Sequence, residues 1–294
     1  MLRGAFPVMI TPMNQDQSID YAGLRNNVNF YIQNGVKGLI PLGSTGEFVS
    51  LTKAERLKVA EVVLEEVNGR IPVVVGTAAE TTQETIEYTQ FAKSIGAQAA
   101  MVINPYYMKP RDEDIFFHFK SLTEAVDLPI ILYNNPWTSG IDMSMDLMLK
   151  IGKELPAVFA IKESSGDIRK LRDIIREGKG FVEGWCGWDD MAMESFVVGA
   201  VGWVSVAGNV IPKIVTDLHT IAVEQGDWKK GWELYQTMLP LCQMIEGSGK
   251  LVQVVKTAMV KIGQAGGPAR SPRTMLNSLE MGRLDAALAT LHLV

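Results

Sequence analysis

Short runs of apolar, mostly β-branched residues recur along the chain, each bounded by Gly, Pro or Asn. They fall at residues 5–10, 38–40, 72–75, 99–103, 129–133, 158–161, 181–183 and 202–206. Most are continuously apolar instead of alternating, the pattern of strands covered on both faces in a parallel sheet. Successive starts are spaced by roughly 20 to 35 residues, close to the length of one βαβ unit. Amphipathic stretches fill the gaps. Thr52 and Glu55 make a capping-box pattern ahead of Leu57, Ala60, Val63, Leu64 and Val67, which follow helical spacing. Residues 81–84 open a second helix containing Ile86, Phe91 and Ile95, and 144–151, 167–175 and 189–198 read the same way.

Eight strands alternating with helices predict an α/β fold, a (β/α)8 barrel. The alternative, a doubly wound sheet for a dinucleotide, wants G-x-G-x-x-G after its first strand, and Ile10-Thr11-Pro12-Met13-Asn14 is unlike it. More chain follows residue 206 than one barrel helix needs. From about residue 227 it reads as further helices: 228–245, 252–262 and one ending near 291. The expected organisation is a barrel over 1–226, with a C-terminal helical region over 227–294 packed on it and not independent.

Composition narrows the function. Hydrophobic residues at 47% and charged residues at 21% are globular usage, not that of a disordered chain. Lys+Arg at 28 against Asp+Glu at 33 leaves −5, so no global field favours nucleic acid or an anionic membrane. Cys186 and Cys242 are too few for a disulfide framework or a cysteine zinc site, and His118, His219 and His292 lie far apart. No metal and no cofactor is therefore expected. No apolar run approaches the ~18 residues of a membrane helix and no leader pattern opens the chain, so a cytoplasmic location is expected.

A barrel of this kind places its chemistry at the C-terminal ends of the strands. After the second strand, Gly43-Ser44-Thr45-Gly46-Glu47 exposes backbone N–H groups beside two hydroxyls. It can hold a carboxylate or phosphate, or be a plain turn. Asn104-Pro105-Tyr106-Tyr107 follows the fourth strand and Tyr133-Asn134-Asn135-Pro136 the fifth. Either tyrosine alone fits a core ring with a wet tip; two at one barrel mouth fit a proton relay. Lys162 ends the apolar sixth strand. Facing outward it is a solvated lysine. Facing inward, desolvation disfavours the ammonium, and the neutral amine is a nucleophile that forms a Schiff base with a carbonyl. Gly247-Ser248-Gly249-Lys250 lacks the hydroxyl residue of a P-loop, since Leu251 follows. Asp189-Asp190 fits a helix start, and the methionines at 143, 145, 148, 191 and 193 fit core filling.

Four motifs then occur in order at these strand ends: Gly43-Ser44-Thr45-Gly46-Glu47, Pro105-Tyr106-Tyr107, Tyr133-Asn134-x-Pro136 and Ile161-Lys162-Glu163-Ser164-x-Gly166. Together the chain closely resembles the dihydrodipicolinate synthase / N-acetylneuraminate lyase family of class I aldolases, from Gly4 to the C-terminal helices. The resemblance implies a barrel with C-terminal helices, usually a tetramer built as a dimer of dimers. It implies Lys162 as the Schiff-base lysine and Tyr133 as the acid/base beside it. Ser44 and Thr45 match the carboxylate-binding residues, Thr45 also the relay hydroxyl, and Tyr107 the relay tyrosine from a neighbouring subunit. Gly184 and Val204 match backbone positions lining the pyruvyl part of the pocket.

Two departures stand out. The resemblance implies an arginine two residues after the motif proline, holding the carboxylate of aspartate semialdehyde; Thr138 stands there. A neutral hydroxyl does not replace a bidentate guanidinium. Lys53 and Arg56 stand where many synthases carry the histidines of a feedback-lysine site. The expectation is a Schiff-base lyase on a short 2-oxo acid, either an aldolase or a dehydratase/deaminase. Thr138, Trp137, Ser139, Cys186, Gly187 and Trp188 are the expected lining of the second half of the pocket. The alternatives are the synthase itself and a non-catalytic 2-oxo-acid binding protein.

Overall fold

The structure, a computed structural model, describes residues 2–293. In chain order it contains β1 (Gly4–Pro7), α1 (Tyr21–Gln33), α2 (Lys53–Val67), β2 (Val74–Gly76), α3 (Thr82–Ser94), β3 (Ala99–Ile103), α4 (Asp112–Ala125), β4 (Ile130–Asn134), α5 (Pro136–Ser139) and α6 (Met145–Glu154). There follow β5 (Val158–Glu163), α7 (Ile168–Glu177), β6 (Glu183–Cys186), α8 (Ala192–Val197), β7 (Gly202–Ser205), α9 (Pro212–His219), α10 (Trp228–Gly247), α11 (Leu251–Lys261) and α12 (Ser278–Ala289).

Local chemistry accounts for the helix starts. The Thr52 hydroxyl accepts from the Glu55 N–H and the Glu55 carboxylate accepts from the Thr52 N–H, so α2 opens with the expected capping box. Thr81, Ser144 and Asp167 cap α3, α6 and α7 in the same way, each accepting a backbone N–H from the first turn. Asn277 and Glu280 repeat the box at α12.

The chain forms two compact units. One contains Val73–Val204; the other contains Gly4–Pro72 and the chain from Ser205 onward. In the first, β2 to β7 lie side by side in sequence order, each paired parallel with the next. Each crossover carries a helix, as parallel strands require. β3 and β4 are buried along their whole length, which explains their unbroken apolar runs. The second unit holds β1, α1, α2, α9 and the C-terminal helices α10 to α12.

Two strand expectations need correction. Residues 38–40 form no ladder of their own. They join the end of β1 through one bridge, Val8 to Ile40, with the Met9 N–H donating to the Ile40 carbonyl and the Ile40 N–H to that of Pro7, both 2.9 Å. Three residues closed by Pro41 are too few for a longer run. The strand expected at 181–183 is β6, Glu183–Cys186; the Phe181 N–H is spent on a turn to Gly178. Apolar reading missed Glu-Gly-Trp-Cys because its strand character comes from burial between neighbours, not from β-branching. Residues 189–198 divide into a single turn at Asp189–Met191 and the short α8. α1, α4, α5 and α9 are additional to the helices read from the sequence.

Candidate active site

Register sets the centre of the site. β4 and β5 pair Tyr133 with Lys162 and Asn134 with Glu163. Alternation along a strand sends neighbours to opposite faces, so one face carries Tyr133 and Lys162 and the other Asn134 and Glu163. Lys162 is 4% exposed and Tyr133 5%. The Lys162 Nζ lies over the Tyr133 ring, 3.6 Å from its centroid. The lysine therefore faces inward, with its amine held against an aromatic hydroxyl-bearing ring. Of the two readings of Lys162 left open by its position, the solvated one falls away.

On the opposite face the Asn134 amide Nδ2 donates to Glu163 Oε2 at 2.9 Å and to Asp142 Oδ1 at 3.0 Å, while its Oδ1 accepts from the Met143 N–H at 3.1 Å. Glu163 Oε1 accepts the Ser165 N–H at 2.6 Å. Burial pushes the Glu163 carboxyl up; the hydrogen bonds from Ser165 and Asn134 pull against that. The pair cross-links the two strands directly behind the Tyr133–Lys162 contact. Gly187 closes the space beside the lysine. A Cβ there would stand 1.9 Å from Ser164 Oγ and 2.8 Å from Lys162 Cε, so only glycine lets this loop approach.

Tyr133 leads into α5. The Asn135 side chain caps this turn, with Oδ1 accepting from the N–H groups of Trp137 (3.1 Å) and Thr138 (3.2 Å), and its Nδ2 donates to the Tyr133 hydroxyl at 2.7 Å. Thr138 is exposed on the turn, its hydroxyl 3.4 Å from the Asn135 carbonyl. Trp137 is 74% exposed, its indole N–H donating to the Ser165 carbonyl at 3.0 Å, with Trp188 stacked obliquely 6.4 Å away between centroids. A groove of about 400 Å³ lies among Pro136, Trp137, Asp142, Ser165, Asp167 and Lys170.

Ser44 and Thr45 sit in the other unit. Their loop is tightly wound: the Gly46 N–H bonds the Gly43 carbonyl (3.0 Å) and the Glu47 N–H that of Ser44 (3.1 Å), with the Thr11 hydroxyl on Gly46 O (2.8 Å). Thr45 is buried and Ser44 half-buried. Leu42 and Glu47 both take left-handed backbone, at φ 62° and 58°. Glu47 is wholly buried and forms an ion pair of 2.6 Å with Lys256 of α11, itself 1% exposed. The Arg270 N–H (2.9 Å) and the Arg273 guanidinium (3.4 Å) complete its surroundings. Burial pulls the Lys256 ammonium down, with Glu47 opposing. The C-terminal helical region thus holds the Gly43–Glu47 loop by its last residue.

Gly184 lies in β6 where a Cβ would stand 2.4 Å from Ile175, so α7 packs directly on the strand backbone. Val204 is buried in β7. Tyr107 is 88% exposed, its N–H held by Glu80 at 3.0 Å. Arg111 pairs with Glu113 at 2.9 Å. Lys250 pairs with Glu280 at 2.8 Å, which accounts for the glycine-flanked lysine. Sequence reading gave Gly187 only as pocket lining, left Asn135 and Glu163 without a role inside their motifs, and missed Lys256. Alternation beside Lys162 could have found Glu163; nothing local marks Lys256. Among the described residues, no group of three or more His, Cys, Asp or Glu side chains could hold a metal, and no helix is long and apolar enough to cross a membrane.

With this geometry in hand, comparison with known proteins places the chain. Residues 1–291 match the dihydrodipicolinate synthetase family. The 4-hydroxy-tetrahydrodipicolinate synthase of Bartonella bacilliformis is 37% identical over 293 residues, 98% of this chain and 97% of that one. A putative dihydrodipicolinate synthetase from Pseudomonas aeruginosa superposes with a TM-score of 0.95 at 36% identity, covering 99% of this chain and 100% of that one. The dihydrodipicolinate synthase of Acinetobacter baumannii, solved with pyruvate, gives 0.95 at 31% identity over the whole of both chains. The chain belongs to the dihydrodipicolinate synthetase family and is a lyase of the class I aldolase type. The expected (β/α)8-barrel class with C-terminal helices is the fold of that family.

Proposed function

We propose that the chain forms a Schiff base between Lys162 and a short 2-oxo acid, and uses it to break or make a bond at the adjacent carbon. The observation that carries this is the buried Lys162 amine against the Tyr133 ring. The amine lone pair attacks the ketone carbon, and the carbonyl oxygen takes up a proton to give a carbinolamine. A second proton, delivered through Tyr133, lets that oxygen leave as water and yields the imine. The imine then accepts the electron pair released when a bond to the adjacent carbon breaks, as an enamine. Ser44 and Thr45 bind the carboxylate, Thr45 and Tyr107 continue the proton relay, and Gly184 and Val204 line the pyruvyl end. These roles follow the family motifs in which the residues stand. The solved relative that holds pyruvate supports a 2-oxo acid as the partner. Retro-aldol cleavage and dehydration or deamination share this imine. A small hydroxylated substrate suits Thr138 and the two tryptophans, whereas the buried Ser139 hydroxyl is taken up by the Asn135 and Ile141 carbonyls. Tyr107 serves its role from one subunit to the next, which makes the working form at least a dimer, with a dimer of dimers as the expected assembly and the cytoplasm as the expected location.

The test is intact mass after pyruvate and borohydride, with peptide mapping. A reduced pyruvyl adduct on Lys162, absent in Lys162→Ala, is expected. No adduct with pyruvate or any longer 2-oxo acid overturns the reading.

A second reading, 4-hydroxy-tetrahydrodipicolinate synthase itself, is favoured by the names of the curated relatives. Against it stands Thr138 in place of a guanidinium. Product from pyruvate and aspartate semialdehyde would establish it. An adduct with no turnover on a panel of 2-oxo acids would leave a binding protein.

A further inference from the structure

We propose that Asn135 is a positioning residue for Tyr133, tying its hydroxyl to the turn that carries Trp137 and Thr138. The proposal rests on the reading of Lys162 and Tyr133 as the imine-forming pair and adds a residue to it.

The three partners of Asn135 fix its role. Two backbone N–H groups, of Trp137 and Thr138, point at one end of the side chain, so that end is the oxygen. The other end is then the NH2 group, and it meets the Tyr133 oxygen at 2.7 Å. The amide cannot be reversed without setting its own N–H groups against two donors. Asn135 is 8% exposed, so water does not readily replace a lost partner.

Two consequences follow for Tyr133. Its oxygen accepts from Asn135, so its own O–H is free for another partner. When that proton leaves, the amide N–H stabilises the charge that develops on the oxygen. The ring, held over Lys162, is at the same time fixed to α5 by its hydroxyl. Of the residues that cap a helix well, Ser and Asp supply the acceptor but no amide donor. Asn supplies both.

Capping and donation can therefore be separated. Asn135→Asp and Asn135→Ser keep an acceptor for the α5 N–H groups and remove the donor to Tyr133; the serine adds no charge. The readout is the exchange of pyruvate methyl protons with deuterium oxide, which reports imine–enamine interconversion and needs no second substrate. Both variants are expected to melt near wild type and to saturate at similar pyruvate concentrations. Their maximal exchange rate should fall roughly 10- to 100-fold, as loss of an acid/base group's positioning costs. In a Tyr133→Phe background, Asn135→Asp is expected to cost nothing further. Unchanged exchange in both variants, or the same loss with and without the Tyr133 hydroxyl, overturns the proposal. A wild type that exchanges and forms the Lys162 adduct isolates that failure to Asn135. A wild type with neither overturns the 2-oxo-acid reading as well.

Discussion

Lys162 and Gly187 show how one atom decides a site. The lysine is buried, and the loop beside it can come this close only because position 187 has no Cβ. His118 shows the converse, a polar group whose burial is structural. It is 2% exposed on α4, its Nδ1 2.9 Å from the Thr82 hydroxyl of α3, and burial lowers its pKa to about 4. The folded chain therefore resists the proton that the unfolded chain accepts near pH 6.5. Stability from this residue is complete above that value and is lost as pH falls toward about 4. The full loss is about 3 kcal/mol, from the size of the shift. Urea midpoints across this interval should fall in the wild type and fall less steeply in His118→Gln; equal slopes would remove His118 as the cause.

At the scale of elements, β4 and β5 act as a unit. Their register places Tyr133 and Lys162 on one face and a hydrogen-bonded Asn134–Glu163 pair on the other, so the placement of the first pair is supported by contacts on the face behind it. In the other unit, α11 does this for the Gly43–Glu47 loop through the buried Lys256–Glu47 pair. Breaking a buried pair from one side leaves a charge without its partner. Lys256→Met should lower stability by about 3 kcal/mol, the low end for such pairs, since the Arg270 N–H and Arg273 still serve Glu47. Adding Glu47→Gln should recover part of the loss. Chemical denaturation of the two variants measures this, and additive losses would show that the pair is not coupled.

For the whole molecule, the question is whether one chain suffices. Tyr107 and Met108 are 88% and 71% exposed on a loop whose backbone is held by Glu80. An ordered loop presenting an aromatic side chain outward suits a role completed in a neighbouring subunit. Tyr107→Phe should depress the maximal rate of methyl-proton exchange by about tenfold or more without changing the mass in solution. Light scattering that finds a fully active monomer would refute the shared relay.

Much of this was legible in the linear chain, for stated reasons. Strands covered on both faces must be apolar throughout, and helix caps need particular side chains at particular places. β3, β4, β5 and the starts of α2, α3, α6 and α7 could therefore be read directly. Lys162, Tyr133 and the Ser44-Thr45 turn stood out as candidates because strand ends are where such a fold places its chemistry, and because four motifs stand there in order. β6 was displaced in the reading, since Glu-Gly-Trp-Cys becomes a strand through what packs around it. Only the tertiary structure could show which way Lys162 points, that Asn135 reaches back to Tyr133, that Glu163 meets Asn134, and that Lys256 lies against Glu47 some two hundred residues earlier. The physical reason is range. Periodicity, capping and turn chemistry act over a few residues and are written in consecutive letters. The direction of a buried amine and the partner of a buried charge are set by desolvation and packing between segments distant in the chain, and those exist only once it has folded.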